Sequence, residues 1–313
     1  MHYRIGEAKM TIQLFLAMAL AVSITGTGIV HAQTGMWTDS LLGRIRATAT
    51  MIPGALPQSV HVLRLAAQES PQAEVLDGGG NERFHVTYPV FQIRFKDGWI
   101  MVDAGFDKEL PAQPNSGAAG AAFSQDKYEQ IQRALVGARS VVVTHEHDDH
   151  AAGVIRNPAL EVIAPKTLLT RAQVQTLIEH PNNPLIRLDA SKSNKYCVID
   201  YDLLYPLASG VVLIKAPGHT PGSQMVYVRL ASGEEILLIG DVTWAMSGIE
   251  QRRQKPEAAS KEMSEDRTAI QQEIDWLNSI MAKVTLINAH DDDAIVALIR
   301  KGALKDGLDL RLP

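Results

Sequence analysis

The chain has 313 residues, 46% hydrophobic and 21% charged, an ordinary globular composition with enough length to bury a sizeable core. A formal net charge of −5 argues against a nucleic-acid surface, because phosphate contacts need clustered positive charge. Cys197 is the single cysteine, so no disulfide can form within the chain, and stability must come from a core and from any bound metal.

In chain order, the first segment stands apart. Arg4 and Lys9 precede an apolar run from Ile12 to Val30, and "VHA" before Gln33 places small residues where a signal peptidase cuts. Residues 1–32 are therefore expected to be a signal peptide cleaved after Ala32, which implies an exported, periplasmic protein. An uncleaved anchor is the alternative, and no later run is long enough to cross a bilayer. Residues 33–313 read as one domain, with 33–58 a loosely packed lead-in containing Pro53 and Pro57.

From Val60 onward, apolar runs alternate with helical patterns, which predicts an α/β fold. "HVTYPVFQIRF" (85–95) alternates like a half-buried strand. "SEDRTAIQQEIDWLNSIMAKV" predicts a helix with Ser264 as N-cap, Glu265 and Asp266 in its first turn, and Ile270, Ile274, Leu277 and Met281 along one face. Residues 104–124 and 243–260 show no clear period, and patternless stretches of that length inside a compact domain are usually functional.

The ends of the short apolar runs carry the chemistry. Ile100–Val102 leads to Asp103, Val141–Val143 to His145, Val211–Ile214 to His219, Ile236–Ile239 to Asp241, and Val284–Ile287 to His290. Sheets covered on both faces give such continuous runs, and sites in layered α/β folds gather beyond one end of the strands. In "VVVTHEHDDHAAG" (141–153), His145 and His147 lie two apart and project to one side of an extended segment. After the turn, Asp149 and His150 can face a neighbouring ion, and the small "AAG" lets the chain pack close behind them. Catalytic zinc usually takes three protein ligands and water. The spacing thus predicts one ion on His145, His147 and His219, a second on Asp149, His150 and His290, and Asp241 between them. The expected ions are two divalent metals, zinc first, although the same ligands suit Fe, Mn or Co. Two ions less two carboxylates and one hydroxide leave positive charge to polarise a carbonyl, so hydroxide held between the ions would attack a lactone or ester, with Asp149 or Asp241 moving the proton.

With these pieces in order, "MVDAG" (101–105), "THEHDDHAAG" (144–153), "APGHTPGS" (216–223), "IGDVTW" (239–244) and "NAHDD" (288–292), the chain resembles the metallo-β-lactamase superfamily of hydrolases. The resemblance implies an αββα four-layer sandwich with a dinuclear metal site at one edge and the ligand roles given above. Asp103 matches an aspartate that supports the ligands from behind; capping the turn before Gly105 is the plainer role. Within the superfamily, "VVLIKAPGHTPGSQMVYV" and "INAHDDDAI" look most like the N-acyl-homoserine lactone lactonases. Those enzymes carry a Tyr three residues after the bridging Asp, where this chain has Trp244, and often a His where it has Ser223. A β-lactam, thioester or phosphotriester hydrolase on the same site, or a non-catalytic metal-binding protein, are the alternatives.

The remaining candidates have plainer readings. Glu146 and Asp148 could relay protons but are expected to face solvent, and "RRQK" (252–255) reads as a solvated loop face. Cys197 is expected to be small and buried, His61, His85 and His180 to be unconnected with the site, and Asp291–Asp293 to cap the helix "AIVALIRKG". Phe106, Leu110, Phe123, Trp244, Met246 and Ile249 are expected to form a pocket for an apolar acyl or aryl group of a small-molecule substrate.

Overall fold

The apolar runs become strands that stack in two sheets in the computed structural model, which describes residues 36–311. The predicted leader lies outside the described residues. In chain order the strands are β1 (Ser59–Pro71), β2 (Arg83–Phe95), β3 (Gly98–Val102), β4 (Ala122–Phe123), β5 (Ser140–Val142), β6 (Thr167–Thr170), β7 (Cys197–Ile199), β8 (Leu204–Ala208), β9 (Val211–Lys215), β10 (Gln224–Arg229), β11 (Glu235–Gly240), β12 (Thr285–Asn288) and β13 (Lys305–Asp306). Among the described residues one sheet runs β13-β1-β2-β3-β5-β6-β7, with β4 beside β1, and the other runs β12-β11-β10-β9-β8.

Side-chain alternation shows the layering. On β9, Val211 and Leu213 join a cluster shared by both sheets, while Val212 and Ile214 pack with the helices Leu41–Thr48 and Arg267–Ile280 on the other face. On β3, Ile100 and Val102 face the second sheet, while Trp99 and Met101 join Ile131, Ala134 and Leu135 of the helix Gln125–Gly137. Three apolar layers between four structural layers make the expected αββα sandwich. Each fully buried Val, Leu or Ile contributes roughly 1.5–3 kcal/mol.

This layering corrects the reading of β2. It is buried almost throughout after Phe84, because the C-terminal segment covers Gln92 and Arg94, on the face that alternation assigned to water. Its polar positions are satisfied internally. Gln92 Nε2 donates to the Asp309 carbonyl (2.8 Å) and Arg94 Nη1 donates to the carbonyls of Phe95 and Gly98 (2.8 Å each). Cys197 is also corrected: it lies exposed on the edge strand β7.

The predicted helix begins later than its sequence suggests. It runs Arg267–Ile280 with Asp266 as N-cap, accepting from the amides of Thr268 and Ala269 (3.0 Å each). Ser264 adopts φ 58° upstream of it, and Glu265 turns inward. Ile270, Ile274 and Leu277 are buried as expected. Asp291 caps the helix Asp292–Arg300 through the Ala294 amide (2.9 Å), also as expected. No helix among the described residues is long and apolar enough to cross a membrane.

Topology explains why the candidate ligands meet. β3 pairs parallel to β5, and β11 parallel to β12, while β9 runs antiparallel to β10, which runs antiparallel to β11. β3 and β5 therefore end along one edge of the first sheet, and β9, β11 and β12 end along one edge of the second. Gln224 of the second sheet donates its amide N–H to the Thr144 carbonyl and its Nε2 to the Val143 carbonyl (2.8 Å each), so those edges adjoin.

Candidate metal centre

The segment after β5 bends at Thr144, His145 and His147 and then enters the helix Asp148–Ile155, so Asp149 and His150 sit in its first turn. The helix lies against the turn that follows β3: the Ala104 amide donates to the His150 carbonyl (3.0 Å), and the Gly153 amide to the Gly105 carbonyl (2.7 Å). The small "AAG" thus does what its residues suggested. His219 comes from the 216–223 loop after β9, Asp241 from the end of β11, and His290 from the end of β12.

The fold brings all seven predicted ligands together. Three groups offer atoms within 4.8 Å of one another: His145, His147 and His219; Asp149, His150 and His290; and His145, His150 and Asp241. His219 Nε2 lies 3.0 Å from His147 Nδ1, and His150 Nε2 lies 3.4 Å from His290 Nε2. Asp241 reaches both three-ligand groups. Its Oδ2 lies 3.7 Å from His219 Nε2, 3.9 Å from His145 Nε2 and 3.0 Å from His290 Nε2, and its Oδ1 lies 3.4 Å from His150 Nε2.

These residues fit metal. His150 Nδ1 faces Asp103 Oδ2 (2.9 Å), His290 Nδ1 faces the Thr87 carbonyl (2.8 Å), and His219 Nδ1 faces Glu265 Oε1 (2.5 Å). A carbonyl or carboxylate can only accept, so each Nδ1 carries the proton and each Nε2 presents a lone pair inward. His145 Nε2 and Asp241 Oδ1 are buried without any hydrogen-bond partner among the described residues. Lone pairs aimed at one another with no donor between them are a cation's surroundings.

Charge around the site agrees. Burial, with His150 beside it, pushes the His145 imidazole well below its ordinary value, and burial, then Lys255, lowers His219 to about 4. Burial alone would raise the Asp241 carboxyl, but the imidazoles of His290, His150 and His145 hold it well below the usual carboxylate range. Burial opposes charge on His150, yet Asp149, Asp241 and Asp103 raise it well above the histidine range, so without metal its Nε2 holds a proton that a bound cation would displace to reach the lone pair. The site therefore concentrates negative charge where a divalent ion would be satisfied.

The supporting groups mix expected and unexpected residues. Asp103, at φ 62°, fills the supporting role and not that of capping the turn before Gly105: its Oδ2 accepts from His150, and its Oδ1 accepts the Thr144 amide (2.7 Å) of the segment after β5. Trp244, three residues after Asp241, turns back on it, and its Nε1 donates to Asp241 Oδ2 (2.9 Å). Tyr88, unnoticed in the sequence, packs edge-on against His290 (5.3 Å) and donates to the Gly117 carbonyl (2.9 Å).

Four expectations are corrected. Glu146 and Asp148 are buried, not solvent-facing. Glu146 accepts from Thr220 Oγ1 (2.8 Å), and Asp148 accepts from the Gly117 amide, Asn182 and Asn183 (3.1, 2.8 and 2.9 Å), so both bind neighbouring loops to the ligand segment. Lys255, assigned to a solvated loop, is buried behind His219. Glu265 lies with it: burial would raise its carboxyl, but Lys255 and His219 lower it to about 2. The predicted apolar pocket is also not assembled. Phe106 and Leu110 belong to the core behind the first sheet and Ile249 to the core behind the second, which leaves Trp244, Met246 and Phe123 partly exposed. His61, His85 and His180 stand apart, His61 bonding the Gly307 carbonyl and His85 facing Asp293.

Glu273, buried beneath the His219 loop, accepts the Gly218 amide (3.1 Å), and burial pushes its carboxyl up to about 8. A folded value above the unfolded one means the folded state keeps a proton that the unfolded chain has lost, so stability declines from about pH 4.5 to about pH 8 and then levels. Glu273→Gln keeps an acceptor for Gly218 and removes that decline. Its melting temperature should match the wild type near pH 5 and exceed it increasingly toward pH 8. A gap independent of pH would show that Glu273 is not held protonated.

Residues 88–156, from β2 through the helix bearing Asp149 and His150, match the family model described as the metallo-beta-lactamase superfamily. No curated protein sequence matches the chain. Among solved structures, an N-acyl homoserine lactone hydrolase with the product N-hexanoyl-L-homoserine at its catalytic metal centre superposes with TM-score 0.58 at 14% identity, over 77% of this chain and 96% of that one. A variant of Bacillus thuringiensis AiiA with N-decanoyl-L-homoserine at its active site gives 0.59 at 12%, over 77% and 96%. The dizinc quorum-quenching lactonase AidC gives 0.51 at 12%, over 78% and 91%. At these identities the likeness is one of fold.

Proposed function

We propose that this chain, a metal-dependent hydrolase of the metallo-β-lactamase superfamily, holds two divalent ions, zinc first, and opens lactone or ester carbonyls. The observation that carries the reading is Asp241, placed between two three-ligand groups whose ring nitrogens face inward. His145, His147 and His219 would hold one ion, Asp149, His150 and His290 the other, and Asp241 both. When bound, such ions supply a nucleophilic water at neutral pH and positive charge for the carbonyl and leaving oxygens.

The chain's own groups do the rest. Asp103, the Thr87 carbonyl and Glu265 fix the proton on the outward nitrogen of three imidazoles, so those rings need not reorganise. The Trp244 indole holds one oxygen of Asp241. Asp149 or Asp241 takes the proton from water and returns it to the leaving alkoxide, so that ring opening yields an alcohol and a carboxylic acid that releases one proton.

Acyl-homoserine lactones are the first substrates to try, because products of that class occupy the metal centre or active site of two structures sharing the fold. A β-lactam, thioester or phosphotriester substrate is the second reading. It is favoured by Trp244, whose indole is committed to Asp241 and supplies no phenol to a carbonyl. The leader pattern supports export to the periplasm with cleavage after Ala32.

Protein beginning at Gln33 should release protons from acyl-homoserine lactones, lose that activity on chelation and regain it with zinc. Faster turnover of a cephalosporin, thioester or aryl phosphotriester moves the substrate assignment. Full activity after metal removal sinks the reading.

A further inference from the structure

We propose that Lys255 is a positioning residue that acts mainly on the ion of the His145, His147 and His219 group, by holding His219, which serves that group alone, and Asp241, which reaches both groups. The inference rests on the two-ion reading above and deepens it.

Lys255 is 1% exposed, unusual for a lysine unless its charge is matched. Its Nζ donates to the Asp241 carbonyl (2.5 Å) and to Glu265 Oε1, and lies 3.2 Å from His219 Nδ1. The same Glu265 oxygen accepts the His219 Nδ1 proton, so one ammonium fixes the carboxylate that aims the ring. Lys255 also stands 5.0 Å from the centre of the Trp244 ring, whose N–H holds the Asp241 side chain. Asp241 is thus restrained at its main chain by Lys255 and at its carboxylate by the indole that Lys255 supports.

The contacts are one-sided. His219 and Asp241 come from different strand ends, and Lys255 ties them together. The Asp149, His150 and His290 group is anchored independently, His150 by Asp103 and His290 by the Thr87 carbonyl. An ion pair serving only the fold would have no reason to discriminate between the groups. The position is set by tertiary structure: Lys255 follows the helix Met246–Gln251, and its carbonyl accepts from Arg267 Nη1 (3.2 Å).

The test is zinc titration of the mature protein against a competing chromophoric chelator, with the melting temperature of metal-free protein measured alongside. Wild type should take up two ions. Lys255→Met should weaken one dissociation constant by about 10–100-fold and the other, which shares Asp241 but not His219, distinctly less. If that variant fails to fold because Glu265 is left uncompensated, Lys255→Met with Glu265→Gln gives a neutral pair of similar size, and the same unequal loss at the two sites is expected. A lower metal-free melting temperature with both constants unchanged overturns the proposal, as does equal weakening of both. Failure of the wild type to bind zinc overturns the underlying two-ion reading instead, which the titration reports before any variant is made.

Discussion

Asp241→Asn is expected to lower metal-dependent turnover by roughly three orders of magnitude and to reduce bound zinc below two per chain. The change preserves volume, so the fold should survive. It removes a negative charge whose oxygens lie 3.4 Å from His150 Nε2 and 3.0 Å from His290 Nε2, and 3.7 and 3.9 Å from His219 and His145. The amide also replaces one acceptor oxygen with an NH₂. If that oxygen is Oδ2, the Trp244 indole loses its acceptor; if Oδ1, a donor replaces a potential metal ligand. Turnover and zinc stoichiometry measured on one preparation decide the matter. Two tightly held ions with undiminished turnover in Asp241→Asn would remove the bridging role.

Gly153→Ala should be the most damaging small substitution, costing roughly 3 kcal/mol or more and lowering the melting temperature by about 6–12 °C. In an ordinary helix Ala would stabilise relative to Gly by about 0.5–1 kcal/mol. Here a Cβ would stand 2.0 Å from the Ala104 carbonyl oxygen and 2.7 Å from its carbon. Those atoms belong to backbone that is bonded to the helix at both His150 and Gly153, so neither side can yield cheaply. Any relief would move Asp103 relative to His150 and disturb the ligand it supports. Gly43→Ala in the helix Leu41–Thr48 is the control, because nothing lies within 4 Å of its added methyl. Calorimetry should find that control no less stable than the wild type. Equal stability of Gly153→Ala would show that the helix can move away from the turn without loss.

Much of the architecture can be read along the chain. Ile100–Val102, Val141–Val143, Val211–Ile214, Ile236–Ile239 and Val284–Ile287 are continuous apolar runs because both faces of each strand are covered, and the residues just past them reach one edge because the strands align in sense. His145, His147, Asp149 and His150 are close in sequence, so their local geometry follows from a short bent segment leading from a strand into a helix. Local order determined these features. Tertiary structure alone decided what stands behind them. Lys255 and Glu265 look like loop and cap residues until packing removes both from water, after which each charge needs the other and His219. Ser264 is likewise a good N-cap by type, but drawing Glu265 inward moves the helix start to Asp266. Phe106 and Ile249 look equivalent in a list of loop hydrophobics, yet they bury on opposite outer faces of the sandwich. A charge's partner, and the layer in which an apolar side chain comes to rest, depend on residues distant in the chain, so local periodicity holds no record of them.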